Sequence, residues 1–161
     1  YINMADDVEL SEALQTGLLE LENAPVEKWK ALGDKVYAPG KWTVKDMIQH
    51  LIDTERVFSY RAVSFARGEK KVMPFDEELY GKNAAAGLRT IEDLVEEAIT
   101  LRRSTIQLFN SFTSEMLSKT GSSMKAEYSV LAIGFIFPGH QRWHFKVLEE
   151  KYYPLLNAIR S

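Results

Sequence analysis

Four stretches of this chain repeat their apolar residues with helical period, which constrains its fold more than any other feature. In the first, from about Asp7 to Asn23, Leu10, Leu14, Leu18 and Leu21 recur at i, i+4, i+8 and i+11, and Pro25 lies just beyond. The second begins at Thr43, an N-cap residue with Asp46 at N3, and runs to about Arg67 before Gly68. Val44, Met47, Ile48, Leu51, Ile52, Phe58, Ala62 and Phe65 make its stripe. The third spans about Thr90 to Ser114, with a Thr90–Asp93 capping pattern and Ile91, Leu94, Val95, Ala98, Leu101, Thr105, Leu108 and Phe112 on one side. The fourth covers about Val130 to Tyr152 and stops before Pro154. Without strand alternation, an internal repeat or a second-domain boundary, the expectation is a single all-α domain over residues 1–161, a four-helix bundle.

The connections carry their own expectations. A loop-rich stretch follows the first helix through Pro39 and Gly40. Gly68 to about Gly87, containing Pro74 and Gly81, is longer than the usual bundle loop, and such loops are often functional. A polar segment, Ser118 to Ser123, separates the third and fourth helices. Pro138 falls inside the fourth, where proline removes a backbone bond and crowds the carbonyl of residue 134. Gly134 and Gly139 make a kink tolerable, which favours one bent helix over a helix that starts at Pro138.

Composition removes whole classes of function. The chain has no Cys, which excludes a thiolate metal site, a disulfide framework and a Cys nucleophile. Lys+Arg of 20 against Asp+Glu of 23 gives a net charge of −3, so no basic footprint points to nucleic acid. No apolar run approaches the ~18 residues of a membrane span. Asp6, Asp7 and Glu9 arrive too early for the apolar core of a signal peptide, and a cytoplasmic protein is expected.

Only 3 His are left as nitrogen ligands or neutral-pH bases. His140 and His144, four residues apart, lie only ~40° apart around a helix, on the face shared by Ile133, Phe137, Val147 and Leu148. His50 sits on the flank of the second helix, roughly 110–120° from the centre of its stripe, where it can face the fourth. One reading is a divalent metal held by His50, His140 and His144, with a coordination position left open as in catalytic sites. The other is two core-edge histidines bonded to backbone or Tyr hydroxyls, with His50 on the surface. Glu55, near the centre of its apolar stripe, is either a partner or general base at the metal, or half of a buried ion pair with Arg102 or Arg103. Arg61, on the His50 flank, either binds an anionic substrate or is a solvated charge. Asp76 and Tyr80 either border a pocket or punctuate a turn. Trp143, with three Trp, seven Tyr and eight Phe in all, can line a pocket, complete the core or serve a homodimer interface.

The stretch from Lys41 to Arg56, with Tyr60-Arg61-Ala62, Ala66-Arg67-Gly68, the Phe75-Asp76-Glu77 loop and the closing segment Gly139 to Tyr152, resembles the DinB-like superfamily, in order and over nearly the whole chain. The resemblance implies a bundle of up-down-down-up topology and a nickel- or zinc-type ion on three histidines, matched here by His50, His140 and His144. Pro138 departs from that pattern, where an ordinary helix former is expected. Members of the superfamily include thiol-dependent transferases and isomerases, alongside metal-dependent hydrolases. The implied function is a metal-dependent hydrolase or thiol transferase acting on a small molecule. With no Cys in the chain, any thiol must be a low-molecular-weight one. A non-catalytic, stress-associated metal-binding bundle is the alternative.

Overall fold

The computed structural model describes Met4, residues 8–123 and residues 126–157; the expected helix start at Asp7 lies outside them. In chain order the helices are α1 (Leu10–Glu22), α2 (Val26–Leu32), α3 (Val44–Ala66), α4 (Glu77–Asn83), α5 (Ile91–Asn110), α6 (Ser114–Ser118), α7 (Val130–Val147) and α8 (Pro154–Asn157). Strands β1 (Thr120–Ser123) and β2 (Ala126–Ser129) lie between α6 and α7.

The bundle is α1, α3, α5 and α7. Their ends follow from local chemistry. Thr43 and Asp46 form a reciprocal capping box at the start of α3: Asp46 N donates to Thr43 Oγ1 at 3.2 Å, and Thr43 N donates to Asp46 Oδ2 at 2.9 Å. Thr90 Oγ1 accepts from Asp93 N at 3.1 Å and starts α5. Helices α1 and α3 each pack against both α5 and α7. Leu14, Ile52, Phe65, Leu94 and Ile133 are almost fully buried where these faces meet. Being wedged between two neighbours widens the inward arc of α5 beyond a single stripe. Ile99, Arg102, Ile106 and Phe109 are buried there, whereas the predicted Leu101 and Leu108 are only half-buried.

Contacts along each pair show how the helices run. On α1 and α7, Leu10 lies against Gly134, Gln141 Nε2 donates to Gly17 O at 3.0 Å, and Arg142 Nε donates to Glu20 Oε1 at 2.7 Å, so the two ascend together. On α3 and α7, the Phe58 ring faces Tyr128 just before α7, and Tyr152 Oη just beyond it donates to Trp42 O before α3, so these two run oppositely.

The connections depart from the expected loops. The stretch after α1 contains α2, which buries Trp29 and Leu32. The Gly68–Gly87 connection contains α4, capped by Asp76, whose Oδ1 accepts from Leu79 N at 3.0 Å. The third long helix ends at Asn110 rather than near Ser114, and Ser114 instead opens α6. Within the helical bundle that the sequence predicts, the polar segment is one arm of a short antiparallel strand pair in which Thr120 pairs with Ser129. Gly121 is needed there because a Cβ would lie 2.2 Å from Cδ1 of the buried Phe65 ring. The hairpin also holds the long connection: Val72 N donates to Ser122 O at 3.0 Å and Ser122 N to Lys70 O at 2.9 Å. Helix α7 continues through Pro138, then widens into a π turn over Leu148–Tyr152 before Pro154. No helix among the described residues is long and apolar enough to cross a membrane.

Candidate metal centre

Opposed packing of α3 on α7 brings the three histidines together. His50, His140 and His144 are 5%, 4% and 6% exposed. His140 Nε2 lies 3.1 Å from His50 Nε2 and 3.0 Å from His144 Nε2. As hydrogen bonding alone this is unsatisfying, because His140 Nε2 carries either one proton or one lone pair and faces two nitrogens. A cation on three lone pairs satisfies all of them. Metal–imidazole bonds of ~2.0–2.1 Å at angles of about 90–110° place ligand nitrogens ~3.0–3.4 Å apart. Both separations fall in that range, and ligand atoms from all three histidines lie within 4.8 Å of one another. The residues fit a divalent metal.

Electrostatics favour the neutral, ligating form of each ring. Burial pushes His50 down to about 4. Burial, then the neighbouring His144 and His50, pushes His140 down to about 2. His144 is lowered to about 3, by burial first and His50 second. Thr54 Oγ1, one turn along α3, lies 3.5 Å from His50 Nδ1, where it can fix the tautomer that leaves Nε2 free for a metal. The Trp42 ring lies 4.7 Å from the His50 ring and the Trp143 ring 4.9 Å from that of His144. Tyr152 secures this end of the bundle through a 2.5 Å bond to Trp42 O, and its hydroxyl, pushed up to about 12 by burial first, stays protonated.

Two open clefts, besides a small internal void beside His140, reach the cluster from different sides. One, of about 270 Å³, is lined by His50 and His144 together with Trp42, Trp143 and Tyr152. The other, of about 310 Å³, is lined by His140, Thr54, Arg61 and Tyr128. Glu77, in the first turn of α4, lines both, and its Oε2 lies 3.9 Å from His50 Nε2. The closing loop thus delivers a carboxylate to the site. In the sequence Glu77 stands out only as part of the Phe75-Asp76-Glu77 loop of the long connection, with no role of its own. Asp76 caps α4, and Tyr80 packs edge-on against Phe75 at 4.8 Å.

Glu55 is buried and bound by Arg102: Arg102 Nε donates to Oε1 at 3.0 Å, and Nη2 donates to Oε2 at 3.0 Å. Of the two arginines the sequence offers as partners for Glu55, the structure selects Arg102, and Arg103 pairs with Glu22 instead. The Arg102 guanidinium fits because α1 has Gly17 opposite, where a Cβ would lie 2.4 Å from Nη1. Arg61 lies on the wall of the second cleft, 4% exposed, and is not a solvated charge.

Comparison with known proteins bears on this geometry. Two Bacillus cereus proteins, from strains B4264 and G9842, are each 27% identical over 143 residues, covering 83% of this chain and 82% of theirs; both are named "Putative metal-dependent hydrolase". The solved structure of YfiT from Bacillus subtilis, described as "a probable metal-dependent hydrolase with an unusual four-helix bundle topology", superposes with a TM-score of 0.74. It covers 93% of this chain and 91% of its own at 16% identity, a likeness that establishes the shared fold. The family model of the DinB superfamily matches residues 11–148, from the first bundle helix to the end of the histidine-bearing one, and the chain belongs to that superfamily.

Proposed function

We propose that this protein is a metal-dependent hydrolase of a small molecule, with His50, His140 and His144 holding one divalent ion, nickel or zinc. The observation that carries the reading is the convergence of three buried imidazole Nε2 atoms, on rings that are neutral rather than imidazolium at neutral pH. Imidazole donors suit zinc and nickel, and the names of the relatives support hydrolysis. An up-down-down-up order belongs to the same reading. It is supported by α1 and α7 ascending together, by α3 opposing α7, and by α5 running with α3, since Arg89 just before α5 meets Gln49 and Arg102 farther along meets Glu55.

Such an ion supplies Lewis acidity, which polarises a carbonyl or phosphoryl oxygen and acidifies water. The chain does the rest. Thr54 holds the His50 ring in one tautomer, and Trp42 and Trp143 pack their rings against His50 and His144. Glu77 Oε2 accepts the proton that the attacking water must lose, since it is the carboxylate beside the cluster not committed to an arginine. Glu55, next to Thr54 in the chain and bound to Arg102, acts by positioning α3 rather than by proton transfer.

The test begins with elemental analysis of purified protein, with and without added nickel or zinc. About one bound ion, lost in His144→Ala, is expected; no uptake overturns the reading. Ester, amide and phosphoester substrates are then assayed beside a low-molecular-weight thiol with an electrophile. Hydrolysis lost on chelation supports the proposal. Turnover with the thiol alone replaces hydrolysis by thiol transfer, and metal binding without turnover on any of these replaces it by a non-catalytic role.

A further inference from the structure

The cleft over His140 has a cationic wall without a counter-charge. Arg61 is almost fully buried, yet its side chain makes one hydrogen bond, from Nη2 to Met73 O at 3.3 Å. Its guanidinium lies over the Phe58 ring at 4.5 Å, and its buried Nε has no partner. The other buried arginine, Arg102, is gripped by Glu55, and the half-buried Arg89 and Arg142 are paired with Glu97 and Glu20. Arg61 has no carboxylate within ion-pair distance among the described residues. Glu77 lines the same cleft, but its carboxylate stands by His50. A guanidinium offers five N–H donors in a fixed fork shaped for an oxyanion. A purely structural tie to Met73 O uses one of them and does not require a charge. Phe58, Phe75 and Tyr128 supply apolar walls, and at about 310 Å³ the cleft is at the small end of the range for small-molecule sites.

We propose that Arg61 anchors the oxyanion of an aromatic-sized anionic substrate, a carboxylate or phosphoryl group, in the cleft beside His140. This rests on the hydrolase reading for what happens to that substrate; the binding itself does not require the metal.

Benzoate and phenyl phosphate, with benzyl alcohol as the uncharged counterpart, are titrated calorimetrically into the protein as purified and again after chelation. Saturable binding of at least one oxyanion is expected in both states, with benzyl alcohol at least about tenfold weaker. Which of the two binds distinguishes a carboxylate from a phosphoryl substrate. Arg61→Met should weaken the oxyanion about tenfold or more and leave benzyl alcohol unchanged. If that variant melts early, Ser123→Asp decides. Ser123 Oγ and Arg61 Nη2 both donate to Met73 O, so a carboxylate at 123 lies within reach of the guanidinium and should abolish oxyanion binding without affecting zinc uptake. Wild-type protein that binds neither oxyanion at millimolar concentration, or variants that bind them unchanged, overturns the proposal. Zinc uptake is read in the same samples. Zinc without oxyanion binding refutes the anchor alone, and oxyanion binding without zinc refutes the metal centre alone.

Discussion

His140 differs from the other two histidines in one respect: its Nε2 is the atom that both of the others touch. His140→Ala should therefore remove metal binding outright, as read by elemental analysis after dialysis; one retained equivalent would contradict the site as drawn. Thr54→Val keeps the shape but removes the oxygen facing His50 Nδ1. Metal affinity should fall about 10–100-fold while the melting of the metal-free protein changes little, a combination that competition with a chelating indicator can measure. Glu55 behaves differently. Glu55→Ala strands the 2%-exposed Arg102 without its carboxylate, and loss of one partner of a buried pair costs about 3–5 kcal/mol. A urea midpoint unchanged in that variant would show that the pair is not structural. The contrast explains why Glu55 was ambiguous in the sequence. A carboxylate on an apolar stripe announces a partner, but an arginine 47 positions away and a metal ligand one turn away satisfy that demand equally well on paper.

At the scale of elements, helices and hairpin differ in how openly they declare themselves. Helix α3 repeats its apolar residues over six turns and carries a complete capping box, so its start is readable to the residue. The hairpin is not readable, because its buried positions are Gly121 and Ser123 and no apolar alternation exists. What makes it a strand is tertiary: β1 lies on the Phe65 ring and bonds the 70–72 segment. Gly121→Ala tests this. A methyl placed 2.2 Å from a ring atom forces Phe65 or the strand to move, and overpacking of this kind costs roughly 1–3 kcal/mol. Thermal melting should show the loss, and an unchanged midpoint would mean the strand stands off from α3. The same packing logic accounts for α4. Its sequence reads as turn, with Pro74 before it and Gly81 within, and only its seat over the histidines gives Glu77 a role.

Across the whole molecule, the three histidines couple folding to both protons and metal. In the chelated protein the fold holds His50 down to about 4, His144 to about 3 and His140 to about 2, against 6.5 for a free imidazole. Above pH 6.5 the rings are neutral whether the chain is folded or not, so the fold has its full stability. As pH falls below 6.5 the unfolded chain takes up protons that the folded one refuses. Stability then drops by up to ~1.4 kcal/mol per pH unit for each histidine, until the depressed values are reached. Calorimetric melting of chelated protein should therefore fall steadily from pH 7 to pH 5, and replacing all three histidines by leucine should flatten that slope. A bound ion acts in the opposite direction: at a thousand times its Kd it adds ~4 kcal/mol, because it binds the folded state alone. That increment persists while the folded rings stay neutral and shrinks only as pH nears their depressed values, since each ligand has to be deprotonated to bind. Metal-loaded and chelated stabilities should accordingly stay about equally far apart from pH 7 to pH 5 and converge only as pH approaches about 4. Curves that already converged between pH 7 and pH 6 would contradict an ion held on these buried imidazoles.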